Sequence, residues 1–114
     1  MAFERPEEFE AAFRAAVRGV FPGAHVYAVR LTLITVKLRL DFPGARFVDV
    51  FFNARNQRTD LSLIDEDRRL FGYDNLGGWH RHPARDPVAH ESCEPPSLET
   101  FLREVDAITR NPPF

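Results

Sequence analysis

The sequence predicts an α+β fold: an antiparallel sheet of four to five strands flanked by an N-terminal and a C-terminal helix. Three observations predict it. Apolar residues recur at helical spacing at the two ends of the chain. Between those ends, apolar and polar residues alternate with period two. Short turn-forming clusters separate the alternating runs, which favours antiparallel neighbours. The chain has 114 residues, the usual size of one domain, so residues 1–114 are read as a single unit.

The first element is a helix. Phe9, Phe13, Val17 and Phe21 recur at i+4, with Ala12, Ala16 and Val20 beside them. Pro6 suits a first helical turn, and Glu7 and Glu8 complement the positive end of the helix dipole. Gly19 and then Pro22-Gly23 end the pattern. Residues 25–42 read as strand, but the apolar parity flips. Val29, Leu31 and Leu33 hold one parity; Ile34, Val36, Leu38, Leu40 and Phe42 hold the other. A continuous strand would turn one of these sets to water, so a reversal or sharp bend is expected near Thr32–Thr35. After the turn dipeptide Pro43-Gly44, residues 46–52 (RFVDVFF) form a strand rich in β-formers. Residues 53–58 make a polar connection. Residues 59–64 (TDLSLI) alternate, Asp65-Glu66-Asp67 reads as a charged hairpin turn, and residues 69–73 (RLFGY) return. Gly72 inside that strand signals a bulge or a close backbone approach.

The regular pattern stops after Asn75. Pro83, Pro87, Pro95 and Pro96 mark residues 83–96 as a loop or arm with no regular element. Ser97 then caps a last helix whose apolar face holds Leu98, Phe101, Leu102, Val105 and Ile108. Asn111-Pro112-Pro113 is its stop signal. The two terminal helices are expected to pack on one sheet face, with Phe13, Val17, Leu63, Phe101 and Val105 among the most buried residues.

Composition narrows the classes. Hydrophobic residues are 44% and charged residues 28%, a globular and not a disordered mix. No apolar run reaches the ~18 residues of a bilayer span, and the acidic start MAFERPEEFE has no signal-peptide core. A cytoplasmic protein with no membrane partner is expected. The lone Cys93 can form neither an internal disulfide nor a thiolate cluster, and its neighbours Glu91 and Glu94 disfavour a reactive thiolate. The net charge of −2 excludes recognition of nucleic acid by overall charge. The middle of the chain is nevertheless locally basic. Exposed sheet edges favour self-association, so a homodimer is expected.

The chemically informative segment runs from Phe71 to Glu91 (FGYDNLGGWHRHPARDPVAHE) and holds three of the four histidines. In extended backbone His80 and His82 project on one face. Asp74, at the strand end, can orient an imidazole. Pro83 and Pro87 bend the chain so that His90 can return. Gly72, Tyr73, Asp74, Asn75, Trp79, His80, His82, Pro83 and His90, followed by a Ser-Leu-x-x-Phe-Leu-x-x-Val helix, resemble the TumE-type toxin family. These are small proteins encoded beside a DNA-binding antitoxin. The resemblance covers roughly residues 46–108. It implies a toxin of a toxin–antitoxin pair and an antitoxin protein as partner.

Three readings of the histidine segment stand open. The first is cleavage of RNA without metal. Histidine titrates near neutrality and supplies both a base and an acid. His80, His82, His90, Asp74 and Tyr73 are then the catalytic candidates, with Arg81, Arg85 and Trp79 binding phosphate and base. The second is a metal centre in which His80, His82 and His90 hold zinc or another divalent metal. The third is a binding or interaction module without catalysis, in which the histidines pin the proline-rich loop to the sheet. The first reading needs no cofactor. Both chemical readings require the side chains of Tyr73, Asp74, His80, His82 and His90 to converge on one patch, with Arg81 or Arg85 at its rim.

Overall fold

Seven antiparallel strands follow one another in chain order across a single sheet, and both helices lie on one of its faces. The computed structural model describes residues 2–84, 86 and 89–110. The elements are α1 (Pro6–Val20), β1 (Val26–Leu31), β2 (Thr35–Asp41), β3 (Arg46–Asn53), β4 (Thr59–Asp65), β5 (Arg68–Asp74), β6 (His80–His82), β7 (Glu91–Ser92) and α2 (Leu98–Arg110). No helix among the described residues is long and apolar enough to cross a membrane.

The expected reversal falls between β1 and β2. The Thr32 hydroxyl accepts the backbone N–H groups of Ile34 and Thr35 and holds the turn. The sheet has seven strands where four to five are expected. His80–His82 pairs with β5, and Glu91–Ser92 pairs with His80 and Arg81. Three and two residues are too few to show a period, so the sequence pattern is silent there. The backbone ladder makes them strands.

Each helix is fixed at its start by one polar side chain. The Glu8 carboxylate accepts the backbone N–H groups of Glu4 and Arg5 at 2.8 and 3.0 Å. The Ser97 hydroxyl accepts the Thr100 N–H at 3.0 Å, the side-chain cap that its position predicts. The stop signal Asn111-Pro112-Pro113 lies outside the described residues. At the β4–β5 turn, Glu66 and Asp67 both take positive φ, 51° and 65°. That is the doubly left-handed hairpin turn whose twist matches its flanking strands.

Period-two alternation divides the sheet into a helix face and an open face. The helix face carries Val36, Leu38 and Leu40 of β2, Val48, Val50 and Phe52 of β3, Leu61 and Leu63 of β4, and Phe71 and Tyr73 of β5. Onto it α1 lays Phe9, Phe13 and Val17, and α2 lays Leu98, Phe101, Leu102 and Val105. Phe9 stacks on Phe52 at 5.1 Å, and Phe101 on Phe71 at 6.0 Å. The five residues expected in the core are all 2% exposed or less.

The open face carries two adjacent cross-strand ladders. One runs Lys37, Phe51, Asp60, Asp74, His80, Ser92. The other runs Arg39, Asp49, Ser62, Gly72, His82. Gly72 answers the close-approach signal: a Cβ there would lie 2.3 Å from the Leu61 carbonyl oxygen. β1 forms one edge of the sheet, with Val29 and Leu31 each half exposed.

Phe13 ties α1 to the sheet, and each such burial is worth about 1.5–3 kcal/mol in transfer alone. With the cavity it leaves, Phe13→Ala is expected to cost about 3–5 kcal/mol in urea unfolding. A loss below 1 kcal/mol would show that the helix does not depend on this contact.

Candidate functional site

β5 ends at Asp74, and the chain returns through Gly77 and Gly78, both at positive φ, to pair as β6. The Asn75 side chain anchors this corner. Its Oδ1 accepts the Thr59 N–H, and its Nδ2 donates to the Gln57 carbonyl, both at 2.8 Å. Alternation then sorts the corner residues. Asp74, His80 and His82 fall on the open face, and Tyr73 and Arg81 fall on the helix face.

On the open face, His82 Nε2 lies 2.6 Å from Asp74 Oδ2. The His82 side chain is 3% exposed and that of Asp74 11%. Burial pushes the Asp74 carboxyl up. The hydrogen bond from His82, the Leu76 backbone N–H and the charges of His82 and Arg69 outweigh it, and the carboxyl sits below its usual range. An ionised carboxylate only accepts, so His82 Nε2 carries the proton and donates. His82 Nδ1 lies on the other edge of the ring, away from the carboxylate. It is buried and has no hydrogen-bond partner.

His90 completes the group. Its ring meets that of His82 edge-on at 4.5 Å between centroids and that of His80 at 5.8 Å. His90 is exposed and His80 half-buried. The two rings that reach water are therefore His80 and His90. The expected working pair, His80 and His82, shares a face, but His82 is enclosed.

Three other candidates lie elsewhere. The Tyr73 hydroxyl donates to Glu104 of α2. Burial, then the Glu104 hydrogen bond and charge, push its pKa up to about 12, against an opposing effect of Arg81. Arg81 pairs with Glu104 at 2.9 Å and with Glu91 at 3.3 Å. Neither lines the histidine patch, because strand neighbours point to opposite faces. Trp79 packs against the hydrophobic core and is not an open stacking surface. Arg85 and Pro87 lie outside the described residues. Cys93 is half-buried; burial, with Glu94, Glu104 and Glu91, pushes its thiol up, and Arg81 opposes.

Among the described residues, no group of three His, Cys, Asp or Glu side chains is arranged to hold a metal ion. What the patch offers is proton transfer: a buried carboxylate–imidazole pair backing two imidazoles at the surface.

Arg69 connects this patch to the rest of the open face. Its guanidinium lies 3.7 Å from Asp74 and 3.3 Å from Asp60, and its Nε donates to Ser62 Oγ at 3.2 Å. Beyond it Lys37, Asp49, Phe51, Arg58, Asp60 and Ser62 line a groove of about 360 Å³. Compared with known proteins, the chain matches no family model, no curated protein and no solved structure.

The lowered Asp74 pKa fixes the sign of a pH effect. Its contribution to stability is complete above the ordinary value of 3.8 and is lost as pH falls through the lower folded value. Asp74→Asn removes that titration and weakens the acceptor of a buried donor, a loss of about 1–3 kcal/mol at neutral pH. Urea unfolding across the acid range is expected to give curves that converge as pH falls. Parallel curves would contradict the pairing.

Proposed function

We propose that this protein cleaves RNA without a metal, as a toxin of a toxin–antitoxin pair. The observation that carries the reading is the packing of the His80 and His90 rings 5.8 Å apart at the surface over the buried His82–Asp74 pair. That separation suits groups on opposite sides of one phosphate. One ring takes the proton from a ribose 2′-hydroxyl, and the 2′-oxygen forms a bond to phosphorus. The bond from phosphorus to the 5′-oxygen breaks, and the other ring gives that oxygen its proton. The products are a 2′,3′-cyclic phosphate and a 5′-hydroxyl, so no external reactant is consumed.

His82 and Asp74 act through the other rings. Asp74 holds the His82 ring through Nε2, and the His82 ring is the wall against which His90 rests. Each surface histidine contributes on the order of 10²–10⁴ in rate. The same chemistry requires an antitoxin that restrains the protein in the cell, the partner implied by the resemblance of its Tyr-Asp-Asn, Trp-His-x-His-Pro and His90 segment to TumE-type toxins.

The test is cleavage of end-labelled RNA by chelator-treated protein. Cleavage is expected to persist, to follow a bell-shaped pH profile, and to fall about 10²-fold or more in His80→Ala and in His90→Ala. Induced expression of the wild type is expected to arrest growth, and the double variant to permit it. Absence of cleavage overturns the reading, as does activity lost to the chelator and restored by zinc.

A further inference from the structure

We propose that the open face of the sheet is a platform for single-stranded RNA, with Phe51 stacking a base and Lys37, Arg39, Arg58 and Arg69 holding the phosphates that lead to the histidine patch. The inference rests on the ribonuclease reading for its ligand and extends it to a surface outside the reacting groups.

The platform stands on side chains that the fold leaves unfinished. Phe51 is a large aromatic on the polar parity of β3, half-buried and lining the groove, away from the helices. Such rings on a sheet face receive unstacked bases, whose π-faces pack on them with little regard to sequence. Arg39 sits over the Phe47 ring with its Cζ 3.9 Å from the centroid, and its buried Nε has no partner. The Arg58 Nε is likewise buried and unpartnered, and its guanidinium reaches Asp60 only at 3.7 Å. Guanidiniums held in place with donors unspent are suited to phosphate oxygens.

Charge agrees with this occupant. The groove lining sets Lys37, Arg58 and Arg69 against Asp49 and Asp60, a local positive excess in a chain of net charge −2. Lys37 is 3.4 Å from Asp49. Burial pushes the Asp49 carboxyl up, against the opposing hydrogen bond and charge of Lys37 and the charge of Arg39.

Position also agrees. The ladder Phe51, Asp60, Asp74, His80 runs straight from the aromatic to the patch. That is three strand spacings, roughly 14 Å, the reach of a short extended segment. Arg69 sits midway, touching acids of both the groove and the patch. Double-stranded RNA keeps its bases stacked and cannot use Phe51.

The test measures binding apart from cleavage. The His80→Ala/His90→Ala chain, which leaves RNA intact, is titrated into a fluorescein-labelled single-stranded RNA oligonucleotide and followed by anisotropy. In that background Phe51→Ala is expected to weaken binding roughly tenfold. Arg58→Gln is expected to weaken it and to flatten its salt dependence by about 0.7 in the logarithmic slope. Glu99→Gln/Arg103→Gln on the outer side of α2 serves as the control and is expected to leave binding unchanged. Phe51→Leu, which keeps volume but loses the flat face, guards against misfolding and is expected to behave as Phe51→Ala.

The platform is overturned if Phe51→Leu and Arg58→Gln bind as their parent does, or if a duplex of the same sequence binds as tightly. The two proposals fail separately. Binding of this pattern without cleavage by the wild type leaves the platform standing and removes the ribonuclease. Cleavage that survives Phe51→Leu and Arg58→Gln unchanged in otherwise wild-type protein removes the platform alone.

Discussion

The hydrogen bond between His82 and Asp74 crosses from β6 to β5 between two largely buried side chains. A buried carboxylate without a donor is costly, and so is a buried imidazole N–H without an acceptor. Each is the other's remedy, and the pair fixes the short strand β6 in register. The same bond puts a proton on His82 Nε2. It also positions the ring on which His90 lies. The placement of His80 beside them follows from the register, since His80 is the direct cross-strand partner of Asp74.

A second constraint sits beside the first. Asp60 and Asp74 face each other across β4 and β5, and like charges directly opposite destabilise a sheet. Arg69 lies within 4 Å of both and neutralises the conflict. This one guanidinium makes the groove and the histidine patch electrically continuous. On the other face of the same strands, Tyr73 and Arg81 meet Glu104 and fasten α2 to β5 and β6. The corner is thus clamped from both sides, by an ionic cluster beneath and an acid–imidazole pair above.

Much of this was legible in the residues. The helices and the first five strands carry periods long enough to count, and the capping serine, the turn at Thr32–Thr35 and the close approach at Gly72 each have a local cause. β6 and β7 were hidden because three and two residues hold no period. Tyr73 and Arg81 lie off the patch for a reason the sequence itself carries. Tyr73 adjoins Asp74, and Arg81 adjoins both His80 and His82, so on strands they point the other way. The groove also left a signal: in RFVDVFF, Phe47 and Phe51 share the parity of Asp49, while Val48, Val50 and Phe52 take the core. The enclosure of His82 had no signal, because it depends on how the chain after Pro83 folds back to place His90.

Central to all of this is that His82 Nε2 carries a proton and donates it to the Asp74 carboxylate. Long-range ¹H–¹⁵N correlation spectra of the imidazole nitrogens at neutral pH test it directly, with His82→Gln assigning the resonances. The expected result is a protonated-type shift for His82 Nε2 and a change in this pattern in Asp74→Asn. A His82 ring with Nε2 unprotonated, or one that averages freely between tautomers, would contradict it.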